Sequence, residues 1–336
     1  MNPENNSPKV TVLLPVYRGE NTIKAAIDSI LNQTFTDFEL LIIDDAAVDG
    51  TVDVIKTYND PRIRLVHNEK NMNLVFSLNK GIELAKGEYI ARMDEDDISF
   101  PTRLEKQVQF LDKNPEVGIC GAWIEIFGNP HGNGVRDYPS DHETIKASMA
   151  FFNPMAHPTV MMRRELLSKY NLRYERLLSE DYDLWERSSF HFELHNLPEV
   201  LLNYRVSTTS YSYTFSEKTV PVHISMVQAR FKRLGLEISE EEAFIYRNGG
   251  WKIPLEDFHA LEVYGRTLKL LLKANREKKL YDEKILEKLV IDVWRTACKN
   301  ANIRKINKAI AFLTKMNGLL LLRKLSTYKY LYKTFF

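Results

Sequence analysis

Short apolar runs alternate with amphipathic stretches through the first third of the chain. Val10-Thr11-Val12-Leu13-Leu14-Pro15-Val16-Tyr17 reads as a buried strand stopped by Pro15, which cannot donate to a ladder. Ile23, Ile27, Ile30 and Leu31 then recur at helical spacing. Phe38-Glu39-Leu40-Leu41-Ile42-Ile43 forms a second strand that runs into Asp44-Asp45. Asp49-Gly50-Thr51 opens a helix through Val52, Ile55 and Tyr58, and Arg62–Val66 gives a third strand. A helix is expected from Asn71 to Lys86, with Leu74, Leu78, Ile82 and Ala85 inward and Gly87 as its stop. Tyr89-Ile90-Ala91 is a fourth buried run, and Pro101 starts a helix carrying Leu104, Val108 and Leu111. Strands alternating with helices predict an α/β fold, a mostly parallel sheet with helices on both faces.

The rhythm weakens after Val117–Phe127, the last clear strand of this part. Gly128–Ser140 reads as a loop over the sheet, and Met149–Met162, broken by Asn153-Pro154 and His157-Pro158, as extended chain. Arg163-Arg164 reads as a solvated helix start. Ser179-Glu180-Asp181-Tyr182-Asp183-Leu184-Trp185 opens a helix, and Phe192–Val206 holds a strand. From Glu217 the pattern is helical only, in about five segments with the short connections of helix pairs. The expected division is therefore 1–215 for the α/β region and 216–336 for a helical C-terminal region.

Composition adds limits. With 44% hydrophobic and 27% charged residues and a formal net charge of +1, the chain gives no global signal for nucleic acid. Cys120 and Cys298 lack the spacing of a disulfide framework or a zinc site. The polar start, Met1–Lys9, has no apolar core of a signal peptide, and no stretch approaches a spanning helix, so a cytoplasmic setting is expected. Charge is uneven at the end, where no acidic residue follows Asp292. The basic, aromatic segment 303–336 either lies on an anionic membrane face or packs on protein.

The chemistry concentrates at Met93-Asp94-Glu95-Asp96-Asp97, four adjacent carboxylates behind a buried strand. A solvated acidic turn is the plain alternative. The second acidic strand end, Asp44-Asp45, tips the reading, because ligands of open α/β sheets bind beyond the carboxyl ends of strands. Carboxylate oxygens suit Mg²⁺ or Mn²⁺, and Mg²⁺ is commonly shared with substrate phosphates. No GxGxxG follows any strand, which disfavours a dinucleotide-dependent oxidoreductase, and Pro15-Val16-Tyr17-Arg18 offers no glycine-rich phosphate loop of a nucleotidyltransferase.

Over roughly residues 9 to 210 the chain resembles a family-2 glycosyltransferase of the GT-A fold. The resemblance rests on Val12–Tyr17, Ser29–Thr34, Leu41–Asp45 with Asp49-Gly50-Thr51, Ala85–Ile90, Met93–Asp97, Pro101–Gln107 and Ser179–Trp185, in this order and spacing. It implies inverting transfer of a sugar from a nucleotide diphosphate, commonly UDP, to a hydroxyl of a glycan or lipid-linked oligosaccharide in bacterial surface polysaccharide synthesis. It also implies roles. Asp45 would accept from the uracil N3–H, Tyr17 would lie along the base, and Pro15 would contribute shape. Asp94 would face the ribose or sugar, Asp96 would bind Mn²⁺ or Mg²⁺, Asp97 would assist through a water, and Asp181 would be the catalytic base.

Each assignment has a structural rival. Asp45 could cap or brace a loop, and Asp181 could cap its helix while Glu180 stands next to it. His157 either lines the acceptor side or is a hydrogen-bonded core residue, and Trp185 either borders the sugar pocket or fills the core. The chain also departs from the family pattern. Arg18 follows Tyr17 where Asn is usual, Ala46-Ala47 replace Gly-Ser, Asn73 replaces a frequent Gly, and Ser207 stands where a His is usual. A non-catalytic nucleotide-sugar-binding or scaffold protein of the same fold is the rival function. The sequence leaves a homo-oligomer open and does not name donor sugar, acceptor or linkage.

Overall fold

A computed structural model describes residues 7–128, 132–206, 217–251 and 253–302. The chain divides into two compact units, Met1–Ile145 with Pro154–Phe215, and Lys146–Asn153 with Ser216–Phe336.

The first unit is built on one sheet. In chain order its strands are β1 Val10–Val16, β2 Phe38–Asp44, β3 Ile63–His67, β4 Tyr89–Arg92, β5 Ile98–Ser99, β6 Val117–Phe127, β7 Gly134–Arg136, β8 Met161–Arg163 and β9 Glu193–Arg205. In space they run β3-β2-β1-β4-β8-β6-β9-β5, with β7 beside β6. The long ladders β1/β2, β1/β4, β2/β3 and β6/β9 are parallel, as the alternation of strands and helices predicts. Short β8 is inserted antiparallel between β4 and β6. Its few residues sit in the stretch that the prolines made read as broken chain, so no periodicity betrayed it. Helices α1 Ile23–Leu31, α2 Thr51–Lys56, α3 Leu74–Leu84, α4 Arg103–Lys113, α5 His142–Ser148 (its residues from Lys146 on counted with the second unit), α6 Arg164–Lys169 and α7 Glu180–Ser188 connect the strands.

Pro15 does not stop β1, which continues to Val16. Leu13 O receives Met93 N and Val16 O receives Asp45 N, so odd positions of β1 face β4 and even ones face β2. The β4 ladder ends at the Leu13–Arg92 pair, and Pro15 lies beyond it, where no ladder hydrogen bond is lost. Helix α3 also differs from its expected stripe. Ser77, Leu78 and Gly81 face inward while Leu74 and Ile82 are half-buried. Gly81 lies so close to β1 that a Cβ there would meet Leu13 Cδ1 at 2.1 Å. Gly87 is not a left-handed helix stop. A Cβ on it would sit 2.4 Å from Thr11 N, so it is small to let the chain approach β1.

In the second unit α8 Thr219–Arg233, α9 Glu240–Gly250, α10 Phe258–Lys278 and α11 Glu283–Asn300 surround Phe231, Tyr246, Tyr264 and Trp294. These are the helices among its described residues; segment 303–336, expected either to lie on a membrane face or to pack on protein, lies outside them. Residues 146–153 belong here, away from the 216 boundary expected from sequence. Ala147, Ala150 and Phe151 are buried in this core, and Ala150 O accepts from Arg230 Nη1 and Tyr246 Oη at 3.2 and 3.1 Å. Three helix starts carry the side-chain caps their sequences provide, Ser239, Asp257 and Asp282. Among the described residues, no helix is long and apolar enough to cross a membrane.

Candidate active site

The carboxyl ends of β1, β2 and β4 present Tyr17, Asp44-Asp45 and Met93–Asp97, a topological position where ligands of such sheets bind. β4 leaves the sheet at Arg92, the last residue paired to β1. Arg92 is 2% exposed, and its Nη1 forms an ion pair with Asp94 Oδ2. Burial disfavours the guanidinium charge, but Asp94 outweighs it and holds the pKa above the ordinary arginine value. Arg103 reaches the same turn from α4, donating from Nη2 to Arg92 O at 2.6 Å. Burial pulls its pKa down to about 10.

Beyond Arg92 the acidic residues crowd together. Asp94, Asp96 and Asp97 each offer an oxygen within 4.8 Å of the others. Asp97 Oδ1 accepts from the Arg205 amide at 2.8 Å, whereas buried Asp97 Oδ2 has no partner. Burial, followed by the charge of Asp94, raises Asp96 to about 6. Burial with Asp94 and Asp96 raises Glu95 to about 8 and Asp97 well above the carboxylate range. An orphaned buried carboxylate oxygen inside an all-oxygen cluster is an arrangement that a hard divalent cation fits. Asp94 and Asp96, singled out by sequence, are thus brought together, with Asp97 as the third member.

Asp44 and Asp45 divide their work. Asp44 braces the strand end through Ala47 N and His67 Nδ1, both at 2.8 Å. Asp45 Oδ1 accepts from Asn68 Nδ2 at 2.7 Å and Met72 N at 2.8 Å, and its Oδ2 from Asn73 N at 2.9 Å. With two lone pairs per oxygen, Oδ1 is filled and Oδ2 keeps one acceptor position. Asn68 is itself oriented by Lys80 Nζ on its Oδ1 at 2.8 Å. Two residues here adopt conformations that favour glycine, Ala46 at φ 59° and Asn73 at φ 75°, ψ 166°. They are the positions where the family pattern carries Gly. Pro15 is buried within β1, while Tyr17 is half-buried beneath the Arg18 guanidinium, 5.1 Å from its ring.

Asp181 stands in the first turn of α7, half-buried, its Oδ1 accepting from Tyr182 N at 2.7 Å. Glu180 beside it is buried, and burial followed by Asp181 raises it to about 7. Glu180 Oε1 lies 4.0 Å from His157 Nδ1, and His157 Nε2 shares a 2.9 Å hydrogen bond with Tyr174 Oη. Burial drives the His157 pKa well below its ordinary value, so the imidazole is neutral and the 4.0 Å approach is no ion pair. Trp185 is fully buried with its ring edge-on to His157. Tyr174 links the groups. Burial raises its pKa, Arg92 opposes the rise, and Asp181, Glu180 and Asp94 add to it.

A cavity of about 780 Å³ opens at the opposite ends of the strands, beside Lys9, Lys86, Glu88, Arg163 and Arg164. Its charges are largely spent locally. Lys9 pairs with Glu88 at 2.7 Å. Arg163 is not the solvated residue its sequence suggested, since it donates to Val117 O, Leu111 O and Asn114 O. The chemistry therefore lies at the carboxyl end. Sequence reasoning missed Arg92, Arg205 and Asn68. An arginine inside an apolar strand, two residues before a carboxylate run, was the available signal for Arg92.

Fold and site together define a GT-A type glycosyltransferase. The likeness extends over 93% of this chain and 91% of S. aureus TarS 1–349 in its complex with UDP-GlcNAc, with a TM-score of 0.57 at 16% identity. A mannosyltransferase from Pyrobaculum calidifontis, in complex with GDP-Man and Mn²⁺, matches with a TM-score of 0.54 at 20% identity, covering 88% of this chain and 87% of that one. The family model "Glycosyl transferase family 2" matches residues 11–170. EpsE of Bacillus subtilis, named as a glycosyltransferase, is 39% identical over 223 residues, 63% of this chain and 79% of EpsE. The O-antigen biosynthesis glycosyltransferase WbnJ of Escherichia coli is 36% identical over 60% of this chain and 81% of its own length. The chain belongs to the family-2 glycosyltransferases.

Proposed function

We propose that this protein transfers a sugar from a nucleotide diphosphate sugar, of the UDP class, to a hydroxyl of a glycan or lipid-linked acceptor, with inversion, in surface polysaccharide synthesis. The observation that carries the reading is the Asp94/Asp96/Asp97 cluster with its orphaned Asp97 oxygen at the end of β4. Relatives named for O-antigen and amylovoran biosynthesis favour a polysaccharide product. Asp96, flanked by Asp94 and Asp97, would hold Mn²⁺ or Mg²⁺. Such an ion supplies charge neutralisation for a leaving diphosphate.

The residues of this chain divide the remaining work. Asp45 has one acceptor position for a base N–H, and Tyr17 offers a ring face beside it. Asp181 takes the proton of the acceptor hydroxyl. The hydroxyl oxygen then bonds to the anomeric carbon as that carbon's bond to the diphosphate oxygen breaks on the other face, which inverts the centre. Glu180 and His157 border Asp181 and shape the acceptor side, with Trp185 fixing His157 from within. The enzyme works in the cytoplasm. A thermal-shift screen of UDP-, GDP- and TDP-sugars with Mn²⁺, followed by product analysis with the donor that binds, tests this. Donor binding without transfer or hydrolysis would favour the rival of a non-catalytic binding protein.

A further inference from the structure

Arg205 closes β9, where it is paired with Phe127 across the β6/β9 ladder. Its amide donates to Asp97 Oδ1 and its Nε to Asp96 O, each at 2.8 Å. The guanidinium lies over the Phe127 ring, 4.5 Å from the centroid. Backbone pairing, the Nε bond and the aromatic face together hold the half-buried guanidinium in place. Among the described residues its two Nη groups make no hydrogen bond or ion pair, although Asp94, Asp96 and Asp97 cluster at the same turn. An arginine this close to three carboxylates ordinarily forks onto one of them.

Arg92 shows the contrast. It lies inside the protein and is committed to Asp94. Arg205 instead spends its Nε on a backbone carbonyl, and among the described residues its Nη1/Nη2 edge is unused. That edge suits a planar, two-point contact with an anion arriving from solution, and phosphate oxygens match it.

We infer that Arg205 is a binding residue for the diphosphate of the nucleotide donor, a fixed positive charge beside the acidic cluster that receives negative charge as the sugar leaves. The inference rests on the nucleotide-sugar reading above and deepens it. A permanently charged guanidinium at this point also lessens the share of leaving-group charge that the carboxylate cluster and its ion must handle.

Calorimetry with Mn²⁺ on the full chain separates the contacts. Wild-type protein should bind UDP more tightly than uridine. Arg205→Gln should weaken UDP on the order of 10–100-fold, the size of one or two charge-assisted hydrogen bonds, and leave uridine within twofold. Arg205→Lys, keeping charge without the fork, should recover part of the loss. A loss shared equally by UDP and uridine means that Arg205 only braces the loop, and overturns the inference. So does an Arg205→Gln variant that binds UDP like wild type. Failure of wild-type protein to bind UDP or GDP at all would overturn the donor reading itself, with this inference.

Discussion

Arg92 and Asp94, two residues apart at the end of β4, form an ion pair whose cation is sealed inside the protein and whose anion remains 24% exposed. Removing the guanidinium strands Asp94 among Asp96, Asp97 and Glu95. Breaking a buried pair from one side costs about 3–5 kcal/mol, and the water access of Asp94 sets the expectation at or below the lower end. Arg92→Met should lower the unfolding free energy in urea by about 2–3 kcal/mol. A change within 0.5 kcal/mol would mean that the pair is solvated and the cluster needs no internal counter-ion.

The carboxylate cluster makes stability depend on pH in an unusual direction. Glu95 and Asp96 are raised to about 8 and about 6, so the folded state holds protons that the unfolded state releases near 4. The slope of unfolding free energy with pH is negative wherever the folded state binds more protons. Glu180, at about 7, adds in the same direction. His157 and His223, which burial holds below the usual imidazole range, act the other way up to about 6.5, so in chelator the melting temperature should fall as pH rises from 6.5 to 8. Mn²⁺ requires the ionised carboxylates, so its stabilisation should grow over the same interval. Scanning calorimetry at pH 5, 6.5 and 8, with chelator and with Mn²⁺, checks both trends. Melting that rises from pH 6.5 to 8 in chelator would contradict the crowding.

Ala46 occupies the left-handed region at φ 59°, beside the carboxylate proposed to read the base. A non-glycine residue there costs about 1–2 kcal/mol, while glycine loses about 0.5–1 kcal/mol more backbone freedom on folding. Ala46→Gly should leave a gain of up to about 1 kcal/mol. Ala46→Val, with its branched side chain, should be destabilised. Urea unfolding of both variants decides; a less stable glycine variant would show that the turn does not require positive φ.

The α/β architecture and the acidic strand ends were legible because they are written in local pattern. β1, β2 and β4 are largely apolar runs, broken within the strands by Thr11 and Glu39. What escaped notice depends on neighbours distant in sequence. β8 is three residues long and is defined by β4 and β6 on either side. Residues 146–153 join the helical unit because Ala150 O meets Arg230 and Tyr246, a contact that no periodicity announces. Asp45 was legible as an acidic strand end, but the loop that fills three of its acceptor sites, Asn68 with Met72 and Asn73, was not. Arg205 gained meaning only when β9 was seen to end against Asp96 and Asp97.

Asp181 allows the division of labour in the site to be tested directly. It sits in the first turn of α7, where the helix dipole favours an ionised carboxylate, and its bond to Tyr182 N holds the side chain at that turn. Asp181→Asn preserves size and that bond but cannot accept the acceptor's proton. Loss of general base catalysis typically lowers the rate by ~10²–10⁴. UDP affinity should change by less than about twofold in the same variant, since the groups assigned to the donor are Asp45, the acidic cluster and Arg205. Product formation and calorimetry on one preparation give both quantities. Transfer surviving within about threefold would reduce Asp181 to a helix residue and move the base to Glu180, whose pKa near 7 would then appear in the pH–rate profile. Glu180→Gln separates the two cases. If Asp181 is the base, that variant keeps measurable transfer, because Glu180 is buried beside His157 and borders the site without taking the proton.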